Sequence, residues 1–318
     1  MIDRERIRTT DRMATALDAV EAGIDAARPE NVLRDSVDVT DGMLTVGDSA
    51  FDLSSYDDVL VLGGGNAAGR IASHLAAVLG PALSGGVVVT DDPAAAGPVE
   101  VVEGAHPVPS AANRDGTRRL LEAARAADSD TLAVVAVTGG GSALLAAPAE
   151  GVPLADLREL TDALVRSGAP IDRINAVRKH VSAVKGGRLA RELAPATTVG
   201  VVFSDVTSDD PSVVASGPLS PDPTSYDDAL TVLSAYGVDA PGSVTGHLQR
   251  GAAGEVGETP GPDDSAFDEV SVHILADNAT AVAAAREVCA AAGFVDPGGV
   301  PGRRGDSRRG RRGGSAAR

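Results

Sequence analysis

The chain has 318 residues, 43% of them apolar, enough for about two domains that each bury a core. Its formal net charge is -17, from 28 basic and 45 acidic residues, which argues against nucleic acid as a partner because a phosphate backbone needs a basic face. The single cysteine, Cys289, excludes an internal disulfide and a cysteine-rich zinc site; no apolar run reaches membrane-spanning length, and the N-terminus lacks a signal-peptide core. A dense acidic surface with four Phe, three Tyr and no Trp suits a protein dissolved in very high salt, so a halophilic, cytoplasmic enzyme is expected.

The helical spacing of Met13, Leu17, Val20 and Ile24 predicts an amphipathic helix over 9–27, ended by Pro29. Short strands are expected at 37–39 and 43–46. A strand, Asp-Val-Leu-Val-Leu, then runs into the loop Gly63-Gly64-Gly65-Asn66 and a helix over 67–79. The run Gly-Gly-Val-Val-Val-Thr, closed by Asp91 and Asp92, fits a strand buried on both faces. A second unit places a helix at 111–127, a strand at 131–137, the loop Thr138-Gly139-Gly140-Gly141-Ser142 and a helix from Ala143 onward. A third strand, 198–203, closes on Ser204 and Asp205. Strands alternating with helices imply an α/β fold: a mostly parallel, doubly wound sheet, Rossmann-like, with helices on both faces. Ligands bind such sheets outside the carboxyl ends of the strands, which puts loops 63–66, 138–142 and 204–210 on one rim.

Beyond the sheet, a helix is expected over 222–236, a Gly/Pro/Asp-rich linker over 237–264, and a strand and helix at 270–275 and 279–292. Residues 1–245 thus read as a first domain and 246–297 as a linker and the start of a second α/β domain. Residues 298–318 carry seven arginines and one aspartate, a basic Gly/Arg tail that reads as disordered or as a coding sequence out of frame.

The chain's two lysines, Lys179 and Lys185, lie within one segment, while the other 26 basic residues are arginine. Such usage points to chemistry that a guanidinium does badly. On a helical wheel Ile174, Val177, Val181 and Val184 form one stripe, Arg178 and Lys185 flank it, and Lys179 falls nearly opposite. Cations beside a buried face need an anion, so Arg178 and Lys185 are the better candidates for a ligand; surface snorkelling would use the same stems. Gly186 and Gly187 break the helix and offer N–H groups beside a lysine, a ready anion site.

Several motifs in order carry a resemblance: Gly104-Ala105-His106-Pro107-Val108-Pro109-Ser110, Thr138 to Leu145, Ile174 to His180 with Lys185 to Ala190, Ser204-Asp205-Val206, and Ala215-Ser216-Gly217-Pro218. Over about residues 9–294 the chain resembles the glycerate 2-kinase family, whose C-terminal part is the MOFRL domain, in a haloarchaeal-like form. The resemblance implies a kinase that uses ATP and Mg2+ to phosphorylate the 2-hydroxyl of D-glycerate, giving 2-phosphoglycerate, in a cleft between two α/β domains. Two departures stand out. Asn66 replaces a lysine usual in the family, and the family's C-terminal domain is not recognisable beyond about Phe294, so weak or no turnover is expected of a truncated or frameshifted chain.

Phosphoryl transfer needs N–H donors, cations and a metal-binding carboxylate. The resemblance assigns backbone N–H donors for the glycerate carboxylate or an ATP phosphate to Gly139, Gly140, Gly141 and Ser142. Asp205 would hold Mg2+ or accept the hydroxyl proton, with Asp209 and Asp210 as weaker metal candidates. Arg178 and Lys185 would clamp carboxylate or phosphate. Gly64, Gly65, Asn66, Asn175, Lys179 and Gly186 complete the candidate binding set, and His106 either touches substrate or orders its loop. The expected partner is D-glycerate, with a homodimer left open and neither nucleic acid nor membrane involved. Two other readings stand: an NAD(P)-dependent oxidoreductase of a small hydroxy acid, because Gly63 to Ala68 fits G-x-G-x-x-A and Asp91 ends the next strand, and a non-catalytic fragment.

Overall fold

A computed structural model describes residues 10–294; the expectations for 295–297 and for the 298–318 tail lie outside the described residues. The first helix, α1 (Asp11–Ala26), is capped by Thr10, whose Oγ1 accepts the Met13 N–H at 3.2 Å. Pro29 begins the next helix, α2 (Pro29–Ser36), where its fixed φ and missing N–H cost nothing. Three short strands, β1 (Val37–Thr40), β2 (Met43–Val46) and β3 (Ser49–Asp52), form an antiparallel meander. β3 was not expected from sequence, since its Ser-Ala-Phe-Asp has no marked apolar alternation.

The main sheet is wholly parallel. Its strands are β4 (Asp58–Gly64), β5 (Gly85–Thr90), β6 (Val99–Glu103), β7 (Thr131–Thr138), β8 (Thr197–Phe203) and β9 (Val270–Ala276), in the spatial order β6-β5-β4-β7-β8-β9. The chain therefore leaves β4 in one direction, returns across the sheet to β7, and continues in the other. That is the expected doubly wound arrangement, with its reversal between β4 and β7.

Both faces are covered because every residue of β7 is buried. Val134 and Ala136 point into a core with Val32 and Leu33 of α2 and Ile71 and Leu75 of α3 (Ala68–Leu79). Ala133, Val135 and Val137 point the other way, against Leu120 and Leu121 of α4 (Ala111–Ala126) and Leu189 and Leu193 of a short helix at Arg188–Leu193. The period-two strand pattern thus serves two cores at once. The helix expected from Ala143 onward is a single turn, α5 (Gly141–Leu144).

A third core is helical. It joins α6 (Leu154–Arg166), α7 (Ile171–His180), α9 (Tyr226–Ala235) and α10 (Gly242–Ala252) around Leu160, Leu164, Val177, Tyr226 and Leu248, the Arg188–Leu193 helix being α8. The expected 237–264 linker therefore contains a packed helix: Val244 and Leu248 are buried on one face, a signal masked by the glycines around them. Gly251 lies against the ring of buried Tyr226, where an added Cβ would enter the ring. Gly251→Ala is expected to destabilise the fold by about 1–3 kcal/mol through overpacking; an unchanged denaturant midpoint would contradict this packing.

The expected start of a second unit after residue 245 also differs from what the sheet shows. That boundary falls inside α10, and β9 pairs in parallel with β8 from Thr198↔Val270 onward as the sixth strand of the same sheet. The last helix, α11 (Asn278–Ala291), is capped by Asp277, whose Oδ1 accepts the Thr280 N–H at 2.8 Å, and packs on α1. Among the described residues no helix is long and apolar enough to cross a membrane.

Candidate functional site

The loops after β4 and β7 meet where the winding reverses, and they interlock. The Asn66 N–H donates to the Gly139 carbonyl at 2.9 Å and the Ala67 N–H to Thr138 Oγ1 at 3.3 Å. Gly64 and Gly65 are buried, and a Cβ on either would strike Leu145 or Thr138. Gly140, at φ +75°, has the Asn66 side chain over it. The glycines of the first loop are thus accounted for by close contact with Ala136 of β7, with Leu145 and with the second loop. Asn66 Nδ2 donates to Asp91 Oδ2 at 3.1 Å, and the same oxygen lies 4.0 Å from His106 Nδ1, so Asn66, Asp91 and His106 form one polar row on the rim.

Beside this row lies a cleft of about 230 Å³, between the β7 loop and the helical core. His106, Gly140, Ser142, Arg178, Ser182 and Lys185 supply its polar lining, and Ala143, Ala146, Ala147, Leu157 and Thr161 much of the rest. Arg178 comes from the last turn of α7. Lys185 arrives differently from the wheel's expectation, because α7 ends at His180. The chain then crosses in extended form, with the Ala149 N–H donating to the Val181 carbonyl at 2.9 Å and the Ala183 N–H to the Ala147 carbonyl at 2.8 Å. Ser182 Oγ accepts the N–H groups of Val184 and Lys185 at 3.2 and 3.3 Å, turning the chain so that Lys185 Nζ donates to the Leu145 carbonyl at 2.5 Å.

The electrostatics of the cleft are one-sided. Lys185 is 5% exposed, and burial, reinforced by the charge of Arg178, brings its ammonium down to about 7 from 10.5. Burial also holds Arg178 below the usual arginine range. Among the described residues neither cation has a carboxylate partner. A buried lysine and a half-buried arginine without a counterion make a receptor for an anion, since a bound carboxylate or phosphate would relieve both their desolvation and their mutual repulsion.

Other candidates are placed elsewhere. Lys179, a binding candidate by sequence, is buried in an ion pair with Asp222, Nζ to Oδ1 3.3 Å, and does not line the cleft; the face opposite the apolar stripe is covered by the segments around Asp222 and Thr259. The N–H groups of Gly186 and Gly187 donate to the carbonyls of Ser216 and Gly217 at 3.0 and 2.7 Å, so the glycine pair is not an open anion site. Asn175 is buried; its Oδ1 accepts from Ser216 Oγ at 3.0 Å, and its Nδ2 has no partner among the described residues. Ser216, at φ +62°, also meets Ser142 Oγ at 2.9 Å. Gly139 has the Asp205 carboxylate directly over its Cα, while Asp205 itself is exposed and does not line the cleft. Asp209 Oδ1 accepts from Ser204 Oγ and Asp210 Oδ1 from the Ser212 N–H, local contacts that shape the 204–212 loop. Among the described residues no three His, Cys, Asp or Glu side chains gather as a metal cluster.

Sequence reasoning missed Ser182, Ser216 and Asp222 as polar anchors. Ser216 lay in a quoted motif; Asp222 went unmarked because Lys179 and Thr259 lie 43 and 37 positions from it, and Ser182 because the helix expected to continue through it ends at His180.

Residues 15–249 match a family model described as a domain of unknown function, DUF4147. A D-glycerate 2-kinase of Thermotoga maritima is 38% identical over 232 residues, 72% of this chain and 52% of that protein. The crystal structure of a glycerate kinase from the same organism superposes with a TM-score of 0.72 at 34% identity, covering 88% of this chain and 63% of that one. A putative hydroxypyruvate reductase of Agrobacterium vitis is 40% identical over 203 residues, 62% of this chain and 46% of its own. The chain spans about half the length of the curated relatives it matches.

Proposed function

This chain belongs to the DUF4147 family and, with it, to the glycerate 2-kinases, and from that premise we propose that its cleft binds D-glycerate for phosphorylation of the 2-hydroxyl by ATP, giving 2-phosphoglycerate. The observation that carries this reading is the pairing of half-buried Arg178 and buried Lys185 in one cleft, with no carboxylate among the described residues to neutralise them. A three-carbon hydroxy acid supplies the missing anion and fits the volume.

In this reading the glycerate carboxylate lies against the Arg178 guanidinium and the Lys185 ammonium, which fixes the acid end and leaves its hydroxyls toward the 138–142 loop. The 2-hydroxyl oxygen forms a bond to the γ-phosphorus as the bond between that phosphorus and the ADP oxygen breaks, and the hydroxyl proton is released to water. The N–H groups that open the single turn after β7 have no carbonyl four residues before them within the helix and suit phosphate oxygens. Asp205 is exposed beside Gly139 and outside the cleft, so it fits a Mg2+ role better than that of base. Magnesium sites commonly use one or two carboxylates together with substrate phosphates, and a single carboxylate beside the loop matches that donor set. When bound with nucleotide, Mg2+ would offset the charge on the transferring phosphoryl group.

The oxidoreductase reading draws support from the hydroxypyruvate reductase name and from the strand order. Against it, the glycines that would admit a dinucleotide's pyrophosphate are packed on Leu145 and Thr138. The acidic composition supports a salt-rich cytoplasm as the working environment. The test is a coupled assay of ADP release with D-glycerate, ATP and Mg2+ in several-molar KCl, run beside calorimetric titration of D-glycerate and of NADH. Binding of D-glycerate with D-glycerate-dependent ADP release is expected; binding of NADH without D-glycerate-dependent ADP release would overturn the reading.

A further inference from the structure

The hydroxyl groups at the cleft have fixed hydrogen-bond polarity, and counting protons along them shows which end of a ligand each can meet. Asn175 Oδ1 can only accept, so the 3.0 Å contact from Ser216 Oγ consumes the single hydrogen of Ser216. Ser216 is wholly buried and can then serve Ser142 only as an acceptor, which makes Ser142 the donor in their 2.9 Å contact. Ser142 has one hydrogen, and it is spent there. What Ser142 Oγ can still offer the cleft is lone pairs.

Ser182 has the opposite polarity. Its Oγ accepts two backbone N–H groups, from Val184 and Lys185, and its own hydrogen has no acceptor among the described residues. Both serines line the same cleft as Arg178 and Lys185. The cleft therefore carries two cations and a hydroxyl donor, and beside them an oxygen restricted to accepting. An anion suits the cations and the donor and is repelled by the accepting oxygen.

We propose that Ser142 accepts a hydrogen bond from a hydroxyl group of the bound hydroxy acid, its own proton being held away by the Ser216–Asn175 relay, and that this acceptor sets selectivity for hydroxylated over plain carboxylic acids. Ser142 is the specificity-determining residue and Ser216 positions its proton. The proposal rests on the hydroxy-acid reading of the cleft. It adds a direction to the Ser142 side chain, which family membership does not give.

The experiment is calorimetric titration of D-glycerate, D-lactate and propanoate, which lose one hydroxyl at each step, against the wild type, Ser142→Ala and Ser216→Ala. Ser142→Ala is expected to weaken D-glycerate about tenfold, the worth of one hydrogen bond at a desolvated site, and to leave propanoate unchanged. The step in the series that loses its discrimination identifies the hydroxyl engaged. In Ser216→Ala the freed Ser142 proton can turn to the cleft, so propanoate should bind no worse and the preference for D-glycerate should narrow. Equal weakening of all three acids by Ser142→Ala would mean that Ser142 donates to the carboxylate, and would overturn the proposal. So would a wild type that binds propanoate as tightly as D-glycerate, although the anion site would then stand. A wild type that binds none of the acids removes both the site reading and this inference.

Discussion

Replacing Asp222 by alanine is expected to destabilise the protein by about 3–5 kcal/mol, the range for stranding one partner of a buried ion pair. The side chains of Lys179 and Asp222 are 7% and 0% exposed and lie 3.3 Å apart. Asp222 is also the acceptor for the Thr224 N–H at 3.1 Å, Thr224 Oγ1 at 2.7 Å and Thr259 Oγ1 at 3.1 Å. The pair therefore ties α7 to two segments that follow far later in the chain. Alanine would leave an ammonium and three hydrogen-bond donors without their acceptor. Lys179→Met leaves a carboxylate still held by those three donors, so its loss should be smaller, and Lys179→Met combined with Asp222→Asn should lose less than Asp222→Ala alone, because no charge stays buried unpaired. Denaturant midpoints of the three variants give the ranking. A loss below about 1 kcal/mol for Asp222→Ala, as for an exposed pair, would contradict the assigned role.

Lys185→Met is expected to weaken D-glycerate binding about 100-fold, since hydrogen bonds to charged groups contribute about 1.5–3 kcal/mol each. Its pH behaviour separates this role from a structural one. The ammonium is brought down to about 7 from 10.5 by burial and by Arg178. Between those pH values the unfolded chain holds a proton that the folded, ligand-free protein has released, so stability rises with pH across that window, by at most about 1.4 kcal/mol per unit. Below it both states carry the proton and this dependence disappears. The anion needs the protonated form, so affinity should be flat below about 7 and fall about tenfold per unit above it. Lys185→Met should show neither dependence. It should also be at least as stable as the wild type in mildly acidic buffer, where the wild type carries a buried, unpaired ammonium.

The strand–loop–helix alternation was legible because it is written locally: runs of valine buried on both faces at β5 and β8, and glycines where the loops of β4 and β7 interlock. The pairing of Arg178 with Lys185 was legible for a less secure reason. The wheel placed both beside the apolar stripe, yet the helix stops at His180, and it is the bridge between Pro148 and Ser182 that delivers Lys185 to the cleft. Lys179 went the other way: the wheel put it nearly opposite the apolar stripe, and Asp222 with the segment around Thr259 buries it away from the cleft. That burial depends on chain 40 or more residues away and leaves no periodic trace. α10 was hidden by its glycines, and β9 read as the start of a new unit because a long insertion of helices separates it from the strand it pairs with. The proton order along Asn175, Ser216 and Ser142 could not be read before their side chains were seen to converge.

The most direct test of the cationic cleft is calorimetric titration of D-glycerate into the wild type and Lys185→Met, at about one pH unit below and one above the Lys185 value of about 7. The wild type should bind about tenfold more tightly at the lower pH and take up close to one proton on binding at the higher, seen as a dependence of the heat on the buffer's ionisation enthalpy. Lys185→Met should bind weakly and equally at both. Wild-type affinity that is the same at both pH values and unchanged in Lys185→Met would contradict the account, because the anion would then be held somewhere other than this cleft.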